Sequence, residues 1–315
     1  MKPTFEPADG TEAISPDVTD PLRPPAETRD WVAASVGADA EVVAIHRLPE
    51  GHWHASHVVT VRRPGGADQE LVLRRWARPG WEADDPGFTP QREAAVLELV
   101  GAASVPTPQL INLDADGTVC DVPAILTDRL PGDPPGQSQD IESFVWQLAK
   151  ALVAIHAVGG GARERLPGYA RYHENLDSIA PPDWSSEPAR WTQAARIAAG
   201  PPPPGEESLI HRDYHPGNTL WLEGRLTGVV DWTQGSWGSV AVDTAHMRWN
   251  LATGYGLAVA DRFLDHYQRL SSAIGQEQHY WDVITVLDLI PDLDPTDWAP
   301  EALARLDQYL EAVLP

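Results

Sequence analysis

The sequence predicts an α+β fold of two lobes, a small lobe made of an antiparallel sheet with one helix and a larger, mainly helical lobe. Up to about residue 128, apolar residues form short runs rich in Val and Leu between turn residues, which is typical of strands. Beyond residue 136 they recur every three to four positions, which is typical of helices. The Pro- and Gly-rich residues 129–135 separate the two patterns and predict a hinge.

The small lobe is predicted to span residues 27–128. It follows residues 1–26, which are rich in Pro and acidic residues and are expected to form a mobile tail. A helix is expected at Thr28–Val36, and the main helix of the lobe begins where Thr89 supplies a hydroxyl cap and Pro90 the first helical residue. The predicted strands are Glu41–His46, Val58–Arg63, Glu70–Arg75, Gln109–Leu113 and Pro123–Thr127.

The large lobe is predicted to span residues 136–315. It begins with a long core helix, since Ile141, Leu148 and Ile155 fall on one helical face. The other predicted elements are a helix near Ala189–Ala199, a tight hairpin of Thr219–Leu222 and Leu226–Val230 around Glu223-Gly224, and helices from Val240 to Leu314 separated by Gly275 and Pro291–Pro295.

Composition narrows the functional class. A formal net charge of -23 argues against binding nucleic acid or an anionic membrane through a broad basic face. The single cysteine excludes an internal disulfide framework and fits a reducing compartment. No apolar run approaches the roughly 20 residues that span a bilayer, and Met1–Asp20 does not resemble a signal peptide. We therefore expect a soluble cytoplasmic protein, either a monomer or a homodimer.

Asp213 and Asn218 carry the chemistry that the sequence suggests. They lie on one short loop with Pro216 and Gly217, which can direct a carboxylate toward an acceptor hydroxyl and an amide oxygen toward a divalent cation. The hairpin that follows reverses the chain, so that Asp231 returns close to Asn218. Each residue alone would also suit a turn cap. Together they predict phosphoryl transfer to an alcohol.

The segment His211–Asn218 fits the pattern His-Arg-Asp-x-x-x-x-Asn of kinase catalytic loops. With the hairpin and the Val-Val-Asp-Trp of residues 229–232, it resembles the aminoglycoside phosphotransferase-like kinase family over about residues 40–255. The resemblance implies a bilobal protein-kinase-like fold and phosphoryl transfer from ATP, with GTP as the alternative donor, to a small molecule with Mg²⁺. It implies Asp213 as the catalytic base or acceptor-orienting group, His211 as the support of that loop, Asn218 and Asp231 as Mg²⁺ ligands, and Asp243 as a structural brace.

The small lobe is expected to bind the nucleotide. The loop Glu50–His57 lies where a phosphate-covering loop belongs, although it has a single glycine, and Ser56 is its candidate phosphate contact. The loop histidines His52, His54 and His57 are expected to be solvated more often than to bind a metal ion.

Arg74 stands where kinases carry a lysine on the third strand. An arginine there would bind phosphate and pair with Glu93 on the following helix. Arg75 is an alternative to Arg74 if the strand register differs by one residue. The hinge Leu126–Leu130 would offer backbone groups to a purine, with Asp128 at its side.

The acceptor is expected in the large lobe, where Trp281, Asp288 and Asp292 would form an acidic and aromatic wall for a cationic amino sugar or antibiotic. Each of these residues alone would equally suit a solvated helix end with buried tryptophans. Two other functions remain open. One is a catalytically silent nucleotide-binding module, which the arginine at position 74 suggests. The other is a protein kinase, which is disfavoured because Asp231 precedes Trp232-Thr233 in place of Phe-Gly.

Overall fold

An antiparallel sheet organises the first lobe. Its elements in chain order are α1 (Ala26–Val36), β1 (Glu41–Arg47), β2 (Ala55–Arg62), β3 (Gln69–Arg75), the short helix α2 (Trp81–Asp84), α3 (Pro90–Val100), β4 (Leu110–Asp114) and β5 (Ala124–Asp128). The computed structural model describes residues 22–48, 54–84, 87–136, 140–159, 161–271 and 278–315. The strand order is β1-β2-β3-β5-β4, with every neighbouring pair antiparallel.

Helices and two small antiparallel pairs form the second lobe. Its elements are α4 (Ile141–His156), α5 (Ala162–Arg165), α6 (Pro188–Ala198), β6 (Glu207–Ile210), β7 (Thr219–Leu222), β8 (Arg225–Val229), β9 (Ser236–Ser239), α7 (Val240–Tyr255), α8 (Leu257–Ser271), α9 (Gln278–Leu289) and α10 (Pro300–Val313). Strand β6 pairs with β9, and β7 pairs with β8. The two pairs frame the loop from His211 to Asn218, because β6 ends just before this loop and β7 begins just after it.

Local sequence explains where the two main helices begin. The Thr89 hydroxyl accepts the backbone N–H of Arg92 at the start of α3, with Pro90 as first helical residue. The Asp140 carboxylate accepts the N–H groups of Glu142 and Ser143 at the start of α4.

Two buried apolar clusters stabilise the fold. The smaller one lies between α1 and the sheet and contains Val32, Val61 and Leu71. The larger one includes the inner face of α3 together with α4, α7 and α9. Because α3 contributes to the same cluster as the large lobe, the helix that carries Glu93 is held against the lobe that carries the catalytic loop.

The predicted strands of the small lobe and the hairpin are confirmed, with bounds that shift by one to three residues. Three features differ. The β6–β9 pair was not predicted, because its strands are only four residues long. A further break occurs at Gly256, whose φ of 97° ends α7. Of the predicted tail, residues 1–21 lie outside the described residues, while the carbonyl oxygen of Leu22 already accepts a hydrogen bond from Arg75.

The predicted separation near residues 291–295 is present, since α9 ends at Leu289 and α10 begins at Pro300. The predicted break at Gly275 lies outside the described residues. Within the described ranges, every helix is too short or too polar to span a lipid bilayer.

Candidate active site

Asp243, in the first turn of α7, fixes the two residues that precede Asp213. Its carboxylate accepts the backbone N–H of His211 at 2.8 Å and that of Arg212 at 2.6 Å. It is fully buried and also lies 3.1 Å from Nε2 of His156. Arg212 has a φ of 70°, a left-handed conformation that residues other than glycine keep only when their surroundings hold them. The two hydrogen bonds to Asp243 stabilise this left-handed conformation, so α7 fixes the loop that orients Asp213.

His211 is completely buried and supports the loop rather than facing a reactant. Its Nε2–H donates to the carbonyl oxygen of Val230 at 3.0 Å, and its ring packs against Trp232 with 4.4 Å between centroids. Burial lowers the pKa of His211, so the ring is neutral with its proton on Nε2. Of the two residues predicted for the catalytic step, Asp213 and His211, His211 is the one expected to support the loop, and its burial is compatible with joining the loop to the segment that carries Asp231.

The carboxylate of Asp213 lies between an amide and two imidazoles. Its Oδ2 accepts a hydrogen bond from Asn218 Nδ2 at 3.0 Å, and its Oδ1 lies 3.1 Å from Nε2 of His246. Nε2 of His215 is 3.7 Å from Oδ2, and the Asp213 side chain remains 25% exposed. Burial acts to raise the pKa of Asp213, but His215 and His246 outweigh it and hold the pKa well below its usual value. Asp213 is therefore an ionised carboxylate with access to the cleft.

The hairpin brings Asp231 back beside Asn218, as the sequence predicts. Its turn residues Glu223 and Gly224 have φ values of 50° and 74°, which suits a two-residue hairpin turn. The backbone N–H of Val230 donates to the carbonyl oxygen of Asn218 at 2.9 Å. This bond holds the residue before Asp231 against Asn218, although the two lie on different strands of the hairpin.

Oxygen atoms of Asn218 and Asp231 suit a divalent metal ion. Asn218 uses its Nδ2 on Asp213, and its Oδ1 accepts no hydrogen bond from the described residues. Asp231 accepts hydrogen bonds from Arg74 and Thr233 at Oδ1, both at 2.8 Å, which leaves Oδ2 free of the described residues. Amide and carboxylate oxygens are the donors that Mg²⁺ prefers.

A metal ion at this position would need further ligands. The described ranges contain no cluster of three or more His, Cys, Asp or Glu side chains that could hold a metal ion. Water and phosphate oxygens would therefore complete the coordination, as is usual for Mg²⁺ bound with a nucleotide.

Arg74 joins strand β3 to both the α3 helix and the catalytic lobe. Its Nη1 lies 2.6 Å from Oε1 of Glu93, and its Nη2 lies 2.8 Å from Oδ1 of Asp231. Nη2 is also 3.1 Å from Nδ1 of His54. Burial raises the pKa of Glu93 to about 7, although the charge of Arg74 acts to lower it. Burial and Arg74 together lower the pKa of His54 to about 3, so this ring is a neutral hydrogen-bond acceptor.

The strand register separates Arg74 from Arg75. Arg74 faces Glu93, whereas Arg75 is 1% exposed and pairs with Asp121 on the opposite side of the strand. The alternative that Arg75 occupies the nucleotide-facing position is therefore wrong, because successive side chains on a strand point to opposite faces.

The other residues predicted to contact the nucleotide lie in different parts of the small lobe. Ser56 lies on β2 directly opposite Arg74 in the sheet register. Asp128 ends β5, and its carboxylate accepts the backbone N–H of Gln109 at 2.6 Å, so it stabilises the β4–β5 edge. Residues 49–53 of the expected phosphate loop, with His52, lie outside the described residues.

The expectation of solvated loop histidines is wrong for His54 and His57, which are 4% and 2% exposed. His54 lies just before β2 and beside Thr233 of the second lobe, whereas His57 lies on β2, on the face opposite to Ser56 and Arg74. The ring of His54 packs edge-on against Trp76 with 4.8 Å between centroids, in addition to its contact with Arg74. Sequence could not show this burial, because it arises from packing between distant segments.

The predicted acceptor residues do not form an open acidic wall. Trp281 is 5% exposed and packs against Tyr169, so it belongs to the core. Asp288 accepts the backbone N–H groups of Tyr172 at 3.0 Å and His173 at 2.9 Å. Asp292 is largely exposed, and its Oδ2 lies 2.9 Å from Nε2 of His173. These acidic side chains hold the segment at residues 172 and 173 in place.

Sequence reasoning missed several residues that reach the site. His246 contacts Asp213 from α7, and Thr233 lies beside Asp231 and Arg74. Arg212 is 7% exposed and stacks over Tyr172, with 4.0 Å from its Cζ to the ring centroid. Asp243 and His246 are three positions apart and therefore lie on one face of α7. This spacing is the signal that would have linked His246 to the loop.

Comparisons with known proteins agree with this geometry. A family model described as the phosphotransferase enzyme family matches residues 50–280. No curated protein sequence shows significant similarity to the chain. Many solved structures share its fold. One is a thermostable mutant of the aminoglycoside phosphotransferase APH(4)-Ia in a ternary complex with AMP-PNP and hygromycin B, at 16% identity and a TM-score of 0.61 over 91% of this chain and 99% of that chain.

Two further solved structures are macrolide phosphotransferases. One is the macrolide 2'-phosphotransferase MphH from Brachybacterium faecium, at 18% identity and a TM-score of 0.59 over 89% of this chain and 96% of that chain. The other is a macrolide 2'-phosphotransferase type I, at 18% identity and a TM-score of 0.58 over 92% and 96%. At these identities the likeness establishes the fold, and the predicted bilobal α+β class is confirmed.

Proposed function

The chain belongs to the phosphotransferase enzyme family, and on that premise we propose that it transfers the γ-phosphoryl group of a nucleoside triphosphate to a hydroxyl group of a small molecule. ATP is the first candidate for the donor and GTP the second. The observation that carries the proposal is the convergence of Asp213, Asn218, Asp231 and Arg74 in one cleft. The ternary complex of a related fold with AMP-PNP and hygromycin B supports a nucleotide and a hydroxylated acceptor on the same scaffold.

Asp213 would orient the acceptor hydroxyl and receive its proton. An alcohol is a far weaker acid than a carboxylic acid, and the pKa of Asp213 lies well below its usual value. Removal of the proton before phosphoryl transfer is therefore strongly unfavourable. The carboxylate holds the hydroxyl in line with the γ-phosphorus and accepts the proton as the new O–P bond forms and the bond to the β–γ bridging oxygen breaks.

Asn218 and Asp231 would hold Mg²⁺ through Oδ1 and Oδ2, the two atoms without partners among the described residues. The bound ion would neutralise charge on the phosphate oxygens. Both oxygens belong to the same hairpin unit, so Asn218 and Asp231 are already near each other before any ligand arrives.

Arg74 would act on the phosphate side of the cleft, with Glu93 fixing the direction of its guanidinium. Its Nη2 also contacts Oδ1 of Asp231, so a metal ion at Oδ2 would share that carboxylate with Arg74. Ser56 lies beside Arg74 on the neighbouring strand and is within the segment that would cover the phosphates. The hinge around Leu126–Leu130 would receive the base through its backbone groups.

The acceptor class does not follow from the acidic residues that the sequence predicts. A cationic amino sugar would call on Asp288 and Asp292, but these carboxylates are engaged with backbone amides and with His173. We therefore do not base the acceptor on them.

A catalytically silent nucleotide-binding module remains the second candidate function, because Arg74 occupies the usual lysine position and reaches a proposed metal ligand.

Calorimetric titration with ATP, with and without Mg²⁺, tests the proposal together with a nucleotide-consumption screen against hydroxylated metabolites and antibiotics. The phosphotransferase predicts Mg²⁺-dependent ATP binding, which Asp231→Asn should weaken, and turnover with at least one acceptor. The silent module predicts binding without turnover across the panel. The absence of both ATP and GTP binding, with and without Mg²⁺, would reject both functions.

A further inference from the structure

Arg212 is a buried cation that has no hydrogen-bond acceptor among the described residues. The residue is 7% exposed, yet its guanidinium makes no hydrogen bond or ion pair with any side chain or carbonyl group in the described ranges. Its Nε is completely enclosed and unpartnered. Proteins normally pair a buried charge or leave it in water, because an unpaired buried charge destabilises the fold. The guanidinium of Arg212 is an exception to this rule.

Aromatic rings surround Arg212 and partly compensate its charge. Its Cζ lies 4.0 Å from the ring centroid of Tyr172, 5.6 Å from that of Tyr169 and 5.9 Å from that of Phe88. The faces of these rings attract a cation. They offer no acceptor in the plane of the guanidinium, where the N–H groups point, so its hydrogen-bonding capacity is left unused.

Asp288, on which the Arg212 charge acts, does not supply that acceptor. Asp288 uses both carboxylate oxygens on the backbone N–H groups of Tyr172 and His173. It lies too far from Arg212 to form an ion pair, although the Arg212 charge acts on it. Asp288 thus fixes the segment that carries Tyr172, and Tyr172 in turn stacks on the guanidinium.

The Arg212–Tyr172 pair lies next to Asp213 on the catalytic loop. Arg212 directly precedes Asp213, and Asp243 holds its backbone N–H. Tyr172 keeps 41% of its surface exposed, so the pair borders open space. Tyr172 also lies within the electrostatic influence of both Arg212 and Asp213. A molecule whose hydroxyl is bound by Asp213 would therefore be in reach of the guanidinium.

We propose that Arg212 binds an oxyanion of the acceptor, a carboxylate or a phosphate group, while Asp213 binds the hydroxyl that is phosphorylated. The planar fork of an arginine matches such groups through paired N–H···O bonds. The acceptor is then a hydroxylated anion, such as a sugar acid, a hydroxy acid or a sugar phosphate, and not a polyamine. This inference rests on the proposed function for the role of Asp213.

Titration calorimetry at low salt without nucleotide tests the anion site directly. The probes are three matched pairs, glucuronate with glucuronamide, gluconate with sorbitol, and glucose 6-phosphate with glucose. The parent protein is expected to bind at least one anion roughly tenfold more tightly than its neutral partner. The preferred pair distinguishes a carboxylate from a phosphate. Because the net charge is -23, non-specific attraction of anions does not produce this preference.

Variants of Arg212 test whether this residue forms the anion site. Arg212→Met should abolish the preference, while Arg171→Met should keep it, because the Arg171 guanidinium contacts the Tyr280 hydroxyl. Circular dichroism and thermal melting check that each variant folds. If Arg212→Met does not fold, Arg212→Lys keeps the charge but loses the fork, and should weaken the preference at least threefold. Equal binding of anionic and neutral probes by the parent, or an unchanged preference in the folded Arg212 variant, would overturn the inference.

Different results would reject the anion site and the phosphotransferase function. Mg²⁺-dependent ATP binding with no anion preference would reject the anion site and leave the phosphotransferase intact. An anion preference that depends on Arg212, without any ATP or GTP binding, would leave the anion site intact and reject phosphoryl transfer.

Discussion

Arg74 is the residue whose replacement should reveal the contact between the lobes most clearly. Its guanidinium is 12% exposed and binds Glu93 at 2.6 Å and Asp231 at 2.8 Å, and the Glu93 side chain is 3% exposed. Replacement of Arg74 by Met fills a similar volume but removes the charge. It leaves two carboxylates facing each other around an apolar side chain.

The expected cost follows from the burial of each partner. Loss of one member of a buried ion pair typically costs about 3–5 kcal/mol. Asp231 is 36% exposed and can be hydrated, and Glu93 can take up a proton. Both effects reduce the cost, so we expect Arg74→Met to lower the free energy of unfolding by about 3 kcal/mol. Arg74→Lys keeps the charge but not the fork, and should cost about 2 kcal/mol.

The assay is urea unfolding followed by tryptophan fluorescence, at pH 6 and at pH 8. Burial raises the pKa of Glu93 to about 7, so Glu93 is mostly protonated at pH 6 and makes a weaker pair with Arg74. The loss on Arg74→Met should therefore be larger at pH 8 than at pH 6. Arg62→Met is the matched control, because Arg62 and Asp68 form an ion pair whose side chains are 53% and 40% exposed.

The control should lose much less stability than Arg74→Met, because the ion pair of Arg62 with Asp68 is exposed to solvent. If Arg74→Met and Arg62→Met have the same effect, or if the Arg74→Met loss does not depend on pH, the buried Glu93–Arg74–Asp231 arrangement is wrong.

Three further changes have defined outcomes. Asp243→Ala leaves two buried backbone N–H groups without an acceptor and should cost about 3 kcal/mol in urea unfolding; a loss under 1 kcal/mol would contradict the bracing role. His246→Leu removes a partner of Asp213 and should lower kcat about tenfold with little change in KM for ATP; an unchanged kcat would exclude His246 as a positioning residue. Glu93 has a folded pKa of about 7 against an ordinary value of 4.5, so the folded state binds the proton more tightly. Its contribution to stability is therefore present below about pH 4.5 and is lost as the pH rises to about 7. Glu93→Gln should flatten this part of the stability curve, and an identical pH dependence in the variant would refute the assignment.

Local sequence patterns were sufficient to predict the catalytic loop and the hairpin. Pro216 and Gly217 define the loop, and Glu223-Gly224 defines the turn, because each acts through the backbone of its own neighbours. The return of Asp231 to Asn218 follows from the hairpin alone. Asp243 was assigned as a brace from the resemblance, and its two hydrogen bonds are compatible with that role.

The contact of Arg74 with Asp231 could not be predicted in this way. The two residues are separated by 157 positions, and their meeting depends on how the lobes pack. The same limit applies to His54, which the packing of β2 under the second lobe buries. For the three acceptor candidates, acidic and aromatic composition does not reveal burial or hydrogen-bond partners. Trp281 fills the core, and Asp288 and Asp292 stabilise a neighbouring segment.

Asp213→Asn tests the central claim most directly, with transfer of the γ-phosphoryl group of ATP to an acceptor from the screen as the measurement. Asparagine keeps the shape of the side chain but cannot receive the proton. The account predicts a rate about 10²–10⁴-fold lower than that of the parent, with Mg²⁺-dependent ATP binding and the unfolding midpoint largely preserved. Transfer at the parent rate by a folded Asp213→Asn protein would contradict the account, because another group would then orient the hydroxyl and accept its proton.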